Sequence, residues 1–154
     1  MARGHLTTAL EILATVCAGL FAGAALYINL VEHPARRDCG TVLAVRQFAP
    51  SYRRAAAMQA SLAIVGLASA GLAWSRGAHV GILAGGLLLG AVVPFTLLVV
   101  RPVSKRLLAP RAGAESVEAT ALLRRWGRLH AVRTVLGLLA FGTLMASIAL
   151  ATPS

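Results

Sequence analysis

Four stretches of this chain are each apolar for about 20 residues or more, and that length, repeated four times, decides what the chain can fold into. Leu6 to Leu30, Ala55 to Trp74, Val80 to Val100 and Trp126 to Leu150 carry few charges. A helix rises 1.5 Å per residue, so about 20 residues cross a hydrocarbon core of about 30 Å. A helix also satisfies its own backbone hydrogen bonds, which lipid requires. The expected fold is therefore all-α: a four-transmembrane-helix bundle, an integral membrane protein of one domain spanning 1–154. The composition agrees. The chain is 58% hydrophobic, above the roughly 45 to 50% of soluble domains, and a soluble chain of this size would lack the polar residues to cover its surface.

The breaks between runs are short or basic. Pro34 disfavours helical geometry at His33 and is expected to stop the first helix near the headgroups. Ser75-Arg76-Gly77-Ala78-His79 reads as the turn of a hairpin between the second and third helices, and Arg101-Pro102 as the end of the third. Pro94 removes a backbone hydrogen bond inside the third run and should kink it, with Thr96 placed to repair the gap. Residues 103–125 are expected to be the soluble part: a turn at Leu107-Leu108-Ala109-Pro110, a breaker at Gly113, and an amphipathic lead-in from Ser116 to Arg125. Gly19 and Gly23, Gly81 and Gly85, and Gly86 and Gly90 are spaced to let helices approach closely.

The formal charge is +10, but the cations are nearly all Arg set between apolar runs, without an aromatic RNA-binding motif or a basic tail. Membrane lipids are the expected anionic partner, not nucleic acid. Cys17 and Cys39 lie in different settings without metal spacing, so reduced thiols are expected. The first apolar run is too long for a signal peptide, and the N-terminus is expected to be retained. Arg36, Arg37, Arg46, Arg53 and Arg54 fill the first connection, and Arg101, Lys105, Arg106, Arg111, Arg124, Arg125 and Arg128 the third. The positive-inside rule then puts both long connections in the cytoplasm and both termini outside, as in a bacterial inner membrane.

On that topology the polar residues gather at one face. Asn29 and His33 are spaced i, i+4 with Glu32 beside them, while Trp126, His130 and Arg133 form an i, i+4, i+7 stripe. Tyr52 and Arg54 enter the second helix at the same level. An unpaired Arg in an apolar helix costs about 2.5 kcal/mol or more, so Arg133 needs a partner, and Glu32 is the expected one. Each residue also has a plainer use: His33 as a helix end, Trp126 as an interfacial anchor, His79 as part of a turn, the arginines as lipid contacts. His33 and His130 together would also suit haem or a metal, although a third ligand in motif spacing is missing. Glu11, a lone acid in the first helix, suits a bundle contact or the proton-coupled site of a small transporter.

Taken in order, Glu32-His33-Pro34, Tyr52-Arg53-Arg54, Pro94-Phe95-Thr96 with Arg101-Pro102 and Leu107-Leu108, and Leu122 through Thr134 with its Trp126-x-x-x-His130-x-x-Arg133 core resemble the anthrone oxygenase-like membrane family. The resemblance implies a four-helix membrane protein whose fungal relatives oxidise anthrones to anthraquinones with molecular oxygen. His33, Trp126, His130 and Arg133 match its pattern directly; Ser104 stands where Asn is expected. By that resemblance His33, His130 and Arg133 are the catalytic candidates and Trp126 a substrate-binding one, and the placement of Asn29, Glu32 and Tyr52 at the same face adds them as substrate-binding candidates. His33 or His130 would take a C–H proton, Arg133 would stabilise the enolate, and Trp126 would stack on a flat hydrophobic small molecule. No cofactor is specified, haem or metal on His33 and His130 being the alternative. The alternative to an oxidoreductase is a cofactor-binding bundle or a non-enzymatic transporter or interaction protein, and the Gly-rich faces leave room for a homo-oligomer.

Overall fold

The computed structural model describes residues 2–109 and 117–151, which are helical almost throughout and include no strand. Four of its helices are long and apolar enough to cross a membrane: Gly4–Asp38, Thr41–Ser75, Val80–Leu108 and Val117–Leu150. Each packs against its neighbours in a ring in chain order, while diagonal pairs meet least. Ala14, Ala18, Phe21, Ala63, Leu89 and Leu144 fill the centre, and residues such as Leu20, Leu98 and Leu139 point outward as a lipid-facing surface requires.

The helices outrun the apolar stretches. The two longest, of 35 residues each, reach about 52 Å at 1.5 Å per residue, well beyond the hydrocarbon core. The first helix does not stop at Pro34. It runs from α1 (Ala2–Tyr27) through a π-helical turn (Ile28–Glu32) into α2 (His33–Asp38). His33 keeps helical angles, and its N–H bonds back to the Ile28 carbonyl. Proline lacks an N–H and crowds the carbonyl four residues back; widening the preceding turn to i→i+5 bonding makes room for the ring.

The same device recurs in the third helix, where α4 (Val80–Phe95) widens over Thr96–Val100 before Arg101-Pro102, and α5 (Arg101–Leu108) carries on. The Thr96 hydroxyl donates to the Val92 carbonyl at 2.7 Å, which the Thr96 N–H also reaches; the carbonyl that Pro94 leaves without a donor is that of Gly90, so Thr96 does not make the repair expected there. The second helix, α3 (Thr41–Ser75), starts well before residue 55 and contains Pro50. The fourth, α6, starts at Val117, not Trp126.

The described residues of 103–125 are therefore mostly helical. Leu107 and Leu108 close α5 instead of forming a turn, and only Ala109, before Pro110, is extended. The expected roles of Pro110, Arg111, Gly113 and Ser116 lie outside the described residues. A second apolar cluster of Phe48, Val100, Val103, Leu107, Leu122, Leu123 and Trp126 holds these helix extensions together.

The glycine spacings divide by face. A Cβ on Gly86 would strike Ala70 of α3, and one on Gly85 would lie 2.6 Å from Leu144 Cγ of α6, so α4 uses two glycine faces against two neighbours. Gly19 meets only the Phe141 ring, and Gly23 faces open space. Gly86→Ile should accordingly lower the unfolding free energy in detergent by about 1–3 kcal/mol through overpacking, while Gly23→Ile leaves it nearly unchanged. Equal effects would mean that α3 and α4 are not in this close register.

Candidate functional site

The stripe Trp126, His130, Arg133 does turn inward as one face of α6, with exposures of 3%, 1% and 5%. What it meets divides the expected cluster into three parts.

The first part is a buried polar chain between the first and fourth helices. The Asn29 amide donates from Nδ2 to Thr134 Oγ1 at 2.7 Å. Thr134 Oγ1 lies 3.2 Å from the Ala25 carbonyl and 3.3 Å from that of His130, to which it donates. Because the Thr134 hydroxyl spends its proton there, it must accept from Asn29, and this fixes which end of the amide is oxygen. Asn29 Oδ1 then faces His130 Nδ1 at 3.1 Å. An amide oxygen only accepts, so Nδ1 carries the proton and Nε2 keeps the lone pair. Asn29 thus sets the tautomer of His130 and makes Nε2 its basic atom.

The second part is an aromatic nest. Trp126 packs against His33 and His130 with ring centroids 5.2 and 4.8 Å away, and edge-on against Phe48 at 5.2 Å. Its indole N–H donates to Ser104 Oγ at 3.2 Å, and that hydroxyl donates to the Val100 carbonyl. Ser104 is therefore the residue that orients Trp126. His33 is pressed against Gly127, where a Cβ would fall 2.6 Å from Nε2. Leu123 backbone faces the ring, but no hydrogen bond of ordinary geometry reaches either buried nitrogen. Among the described residues no group of three His, Cys, Asp or Glu side chains is placed to hold a metal ion.

The third part corrects the expected ion pair. Glu32 does not reach Arg133. It bonds Arg36 at 2.5 Å, one turn along its own helix, and accepts from Ser51 at 2.5 Å and Gln47 at 3.2 Å. Arg36 also donates to Gln47 and Ser51 and lies over the Phe48 ring. The continuation of the first helix past Pro34 is what brings Arg36 within one turn of Glu32. This network ties the first helix to the second, and its Glu32, Arg36 and Gln47 wall a surface groove of about 460 Å³.

Arg133 instead donates to Gln59 Oε1 of α3 at 2.5 Å, with the Phe21 ring 5.7 Å from its guanidinium carbon. Gln59 was not anticipated. It is 1% exposed, and the signal was present: it is the one long polar side chain within Ala55 to Trp74, seven residues from Tyr52 on the same helix face.

Around this pair lies a cavity of about 190 Å³, lined by Tyr52, Ala56, Gln59 and Ala63 of α3, by Val92, Thr96, Leu97 and Arg101 of the third helix, by Phe21, and by Arg133. Its lining includes the exposed Ala60, Leu97 and Arg101, so it opens outward between the second and third helices. Behind the Arg133 and Gln59 pair a chamber of about 10 Å³ also touches Tyr52, Trp126 and His130, about the volume that holds one water.

Of the expected site residues, then, Arg133 and Tyr52 line the cavity. His130 and Trp126 reach only the chamber behind it, Asn29 holds His130, and Glu32 and His33 line neither. Arg54 is exposed, and Glu11 is half-buried away from the cavity.

Fold and site together define a four-helix integral membrane protein with a mostly apolar, outward-opening cavity that ends on a buried guanidinium. A model of the anthrone oxygenase family matches residues 48–143, and the chain belongs to that family. The match takes in Tyr52, Gln59, Thr96, Arg101, Trp126, His130 and Arg133. No curated protein and no solved structure shows a significant match.

The two separate networks have a thermodynamic signature. Glu32→Gln and Arg133→Gln should each destabilise the protein by about 1–3 kcal/mol, and the double mutant should show their sum to within about 0.5 kcal/mol. Recovery of stability in the double mutant would restore the direct pair.

Proposed function

We propose that this protein is a membrane-embedded oxidoreductase that uses molecular oxygen to oxidise a flat, hydrophobic aromatic substrate of the anthrone type in the cavity at Arg133 and Gln59. The observation that carries this is a buried cation at the end of an apolar, outward-opening cavity, the arrangement needed to stabilise a developing oxyanion away from water. The cavity is smaller than the roughly 300 to 1,000 Å³ of drug-sized sites. A tricyclic substrate therefore places its carbonyl edge inside and leaves the remainder in the opening between the second and third helices.

The chemistry follows from the substrate's acidity. The methylene carbon opposite an anthrone carbonyl loses a proton that passes by way of the Tyr52 hydroxyl, which borders both the cavity and the chamber, to His130 Nε2, and the charge moves onto the carbonyl oxygen at Arg133. The anion passes one electron to oxygen, and the resulting radical pair joins as a C–O bond. The peroxide takes up a proton. Loss of the second methylene hydrogen as a proton, with cleavage of the O–O bond, then leaves a new carbonyl and releases water. One oxygen atom enters the product and one becomes water, a four-electron oxidation balanced by one O₂.

Among the histidines His130 suits the base role, since Asn29 fixes its tautomer and it reaches the chamber, whereas His33 lines neither space. Tyr52, which lines the cavity, replaces Trp126 as the ring beside the substrate. The site lies at the Arg-rich end of the bundle, which is placed on the cytoplasmic side of a bacterial inner membrane with both termini outside.

Two measurements test this reading. Purified protein given anthrone should consume one O₂ per quinone formed, above the rate without protein. Arg133→Gln and His130→Ala should each lower that rate by about 100-fold, with exposed Arg53→Gln unchanged. Wild-type rates in both variants would remove the site from the chemistry. For the orientation, a membrane-impermeant maleimide should label exposed Cys39, and not buried Cys17, in inverted vesicles only; labelling of Cys39 in spheroplasts would reverse it.

A further inference from the structure

Among the described residues, Arg133 is the one arginine buried among membrane-spanning apolar residues without a carboxylate in reach. Among the described residues the ion pairs are Arg36 with Glu32 and Arg106 with Glu118. Arg133 has an amide oxygen and the face of Phe21. Neither neutralises a charge, and taking an unpaired guanidinium out of water is costly even after snorkelling and local relaxation.

Donors are also left over at this point. Arg133 Nε and Gln59 Nε2 are buried without hydrogen-bond partners, and both side chains line the cavity. The cavity contains no acid, and its other charged residue is a second arginine, Arg101, which is exposed. The hydroxyls of Tyr52 and Thr96 complete its polar lining, and that of Thr96 is already turned to the Val92 carbonyl. Donors thus exceed acceptors, positive charge is uncompensated, and the walls are otherwise Ala, Val, Leu and Phe.

We infer that the ligand of this cavity is itself the counter-ion of Arg133: a lipophilic anion, bound through one ionised oxygen acid such as a carboxylate or phenolate, which enters from the bilayer between the second and third helices. The inference rests on the reading that this cavity is the substrate site, and adds to it that the substrate is selected by its acid group and not by ring size alone. An oxyanion supplies the acceptors that Arg133 Nε and Gln59 Nε2 lack. Arg101 meets the same anion first, at the mouth, where the positive charge raises its local concentration. A neutral ring of equal size gains the apolar contacts and leaves the charge buried and unpaired.

The test uses two fluorescent probes with one ring system, 9-anthracenecarboxylate and neutral 9-anthracenemethanol, titrated onto the full-length protein in lipid nanodiscs and corrected for binding to empty discs. The acid should bind about tenfold or more tightly than the alcohol, the worth of one charge-assisted contact. Arg133→Gln should abolish the preference while alcohol binding persists, and Arg133→Lys should retain it. Should Arg133→Gln fail to fold, Gln59→Leu serves instead: it should reduce acid binding several-fold and leave alcohol binding intact. Equal affinities in wild type, an acid preference that survives Arg133→Gln, or one left undiminished by Gln59→Leu, would overturn the inference. Acid-selective binding without oxygen uptake would keep the anion site and remove the oxidation chemistry. Oxygen uptake without acid preference would do the reverse.

Discussion

A guanidinium held inside an apolar bundle by one amide oxygen is the constraint around which the rest of this structure is arranged. Arg133 and Gln59 belong to helices on opposite corners of the ring, which otherwise touch least. Their hydrogen bond at 2.5 Å spans the bundle's interior at the level where the packing loosens. Below it the helices close on alanine and glycine, with Gly86 against Ala70 and Gly85 against Leu144. At the other end the aromatic cluster of Phe48, Tyr52 and Trp126 closes them again. The cavity lies between these two tightly packed layers, with both long polar side chains on its wall.

Proline shapes the same level. The first and third helices each widen into a π turn just before an X-Pro pair, His33-Pro34 in one and Arg101-Pro102 in the other. Such turns re-aim side chains and recur at functional sites. Here one places Asn29 against His130 and Thr134, and the other carries Thr96 and Leu97 of the cavity wall. The proline rule alone reads these positions as helix ends. A membrane helix has no competing solvent for its freed carbonyl groups, so it rearranges its own bonding and continues.

This explains what was legible in the sequence. Four spans, their hairpin order and the inward stripe of Trp126, His130 and Arg133 follow from hydrophobic length and the 3.6-residue period, and the structure bears them out. The continuation of helices to Asp38 and Leu108 and back to Thr41 and Val117 was not legible, because Arg-rich, Leu-rich segments read equally well as loop or as helix outside the membrane. The partner of Arg133 was misread for a related reason. Charge matching favours Glu32, but helix continuation past Pro34 gives that carboxylate a nearer cation, Arg36, one turn away. A neutral Gln59 is a weaker electrostatic signal, visible only through its place on the Tyr52 face.

In the proposed mechanism, ligands reach Arg133 through the cavity between the second and third helices. Photoaffinity labelling tests it most directly: a lipophilic aryl diazirine is dissolved in the bilayer around wild-type protein and photolysed with and without an excess of a competing aromatic carboxylate. Competed adducts are expected within residues 52–63 and 92–101, the segments that line the cavity. Competed adducts confined to the groove formed by residues 27–47, with those two segments unlabelled, would contradict it.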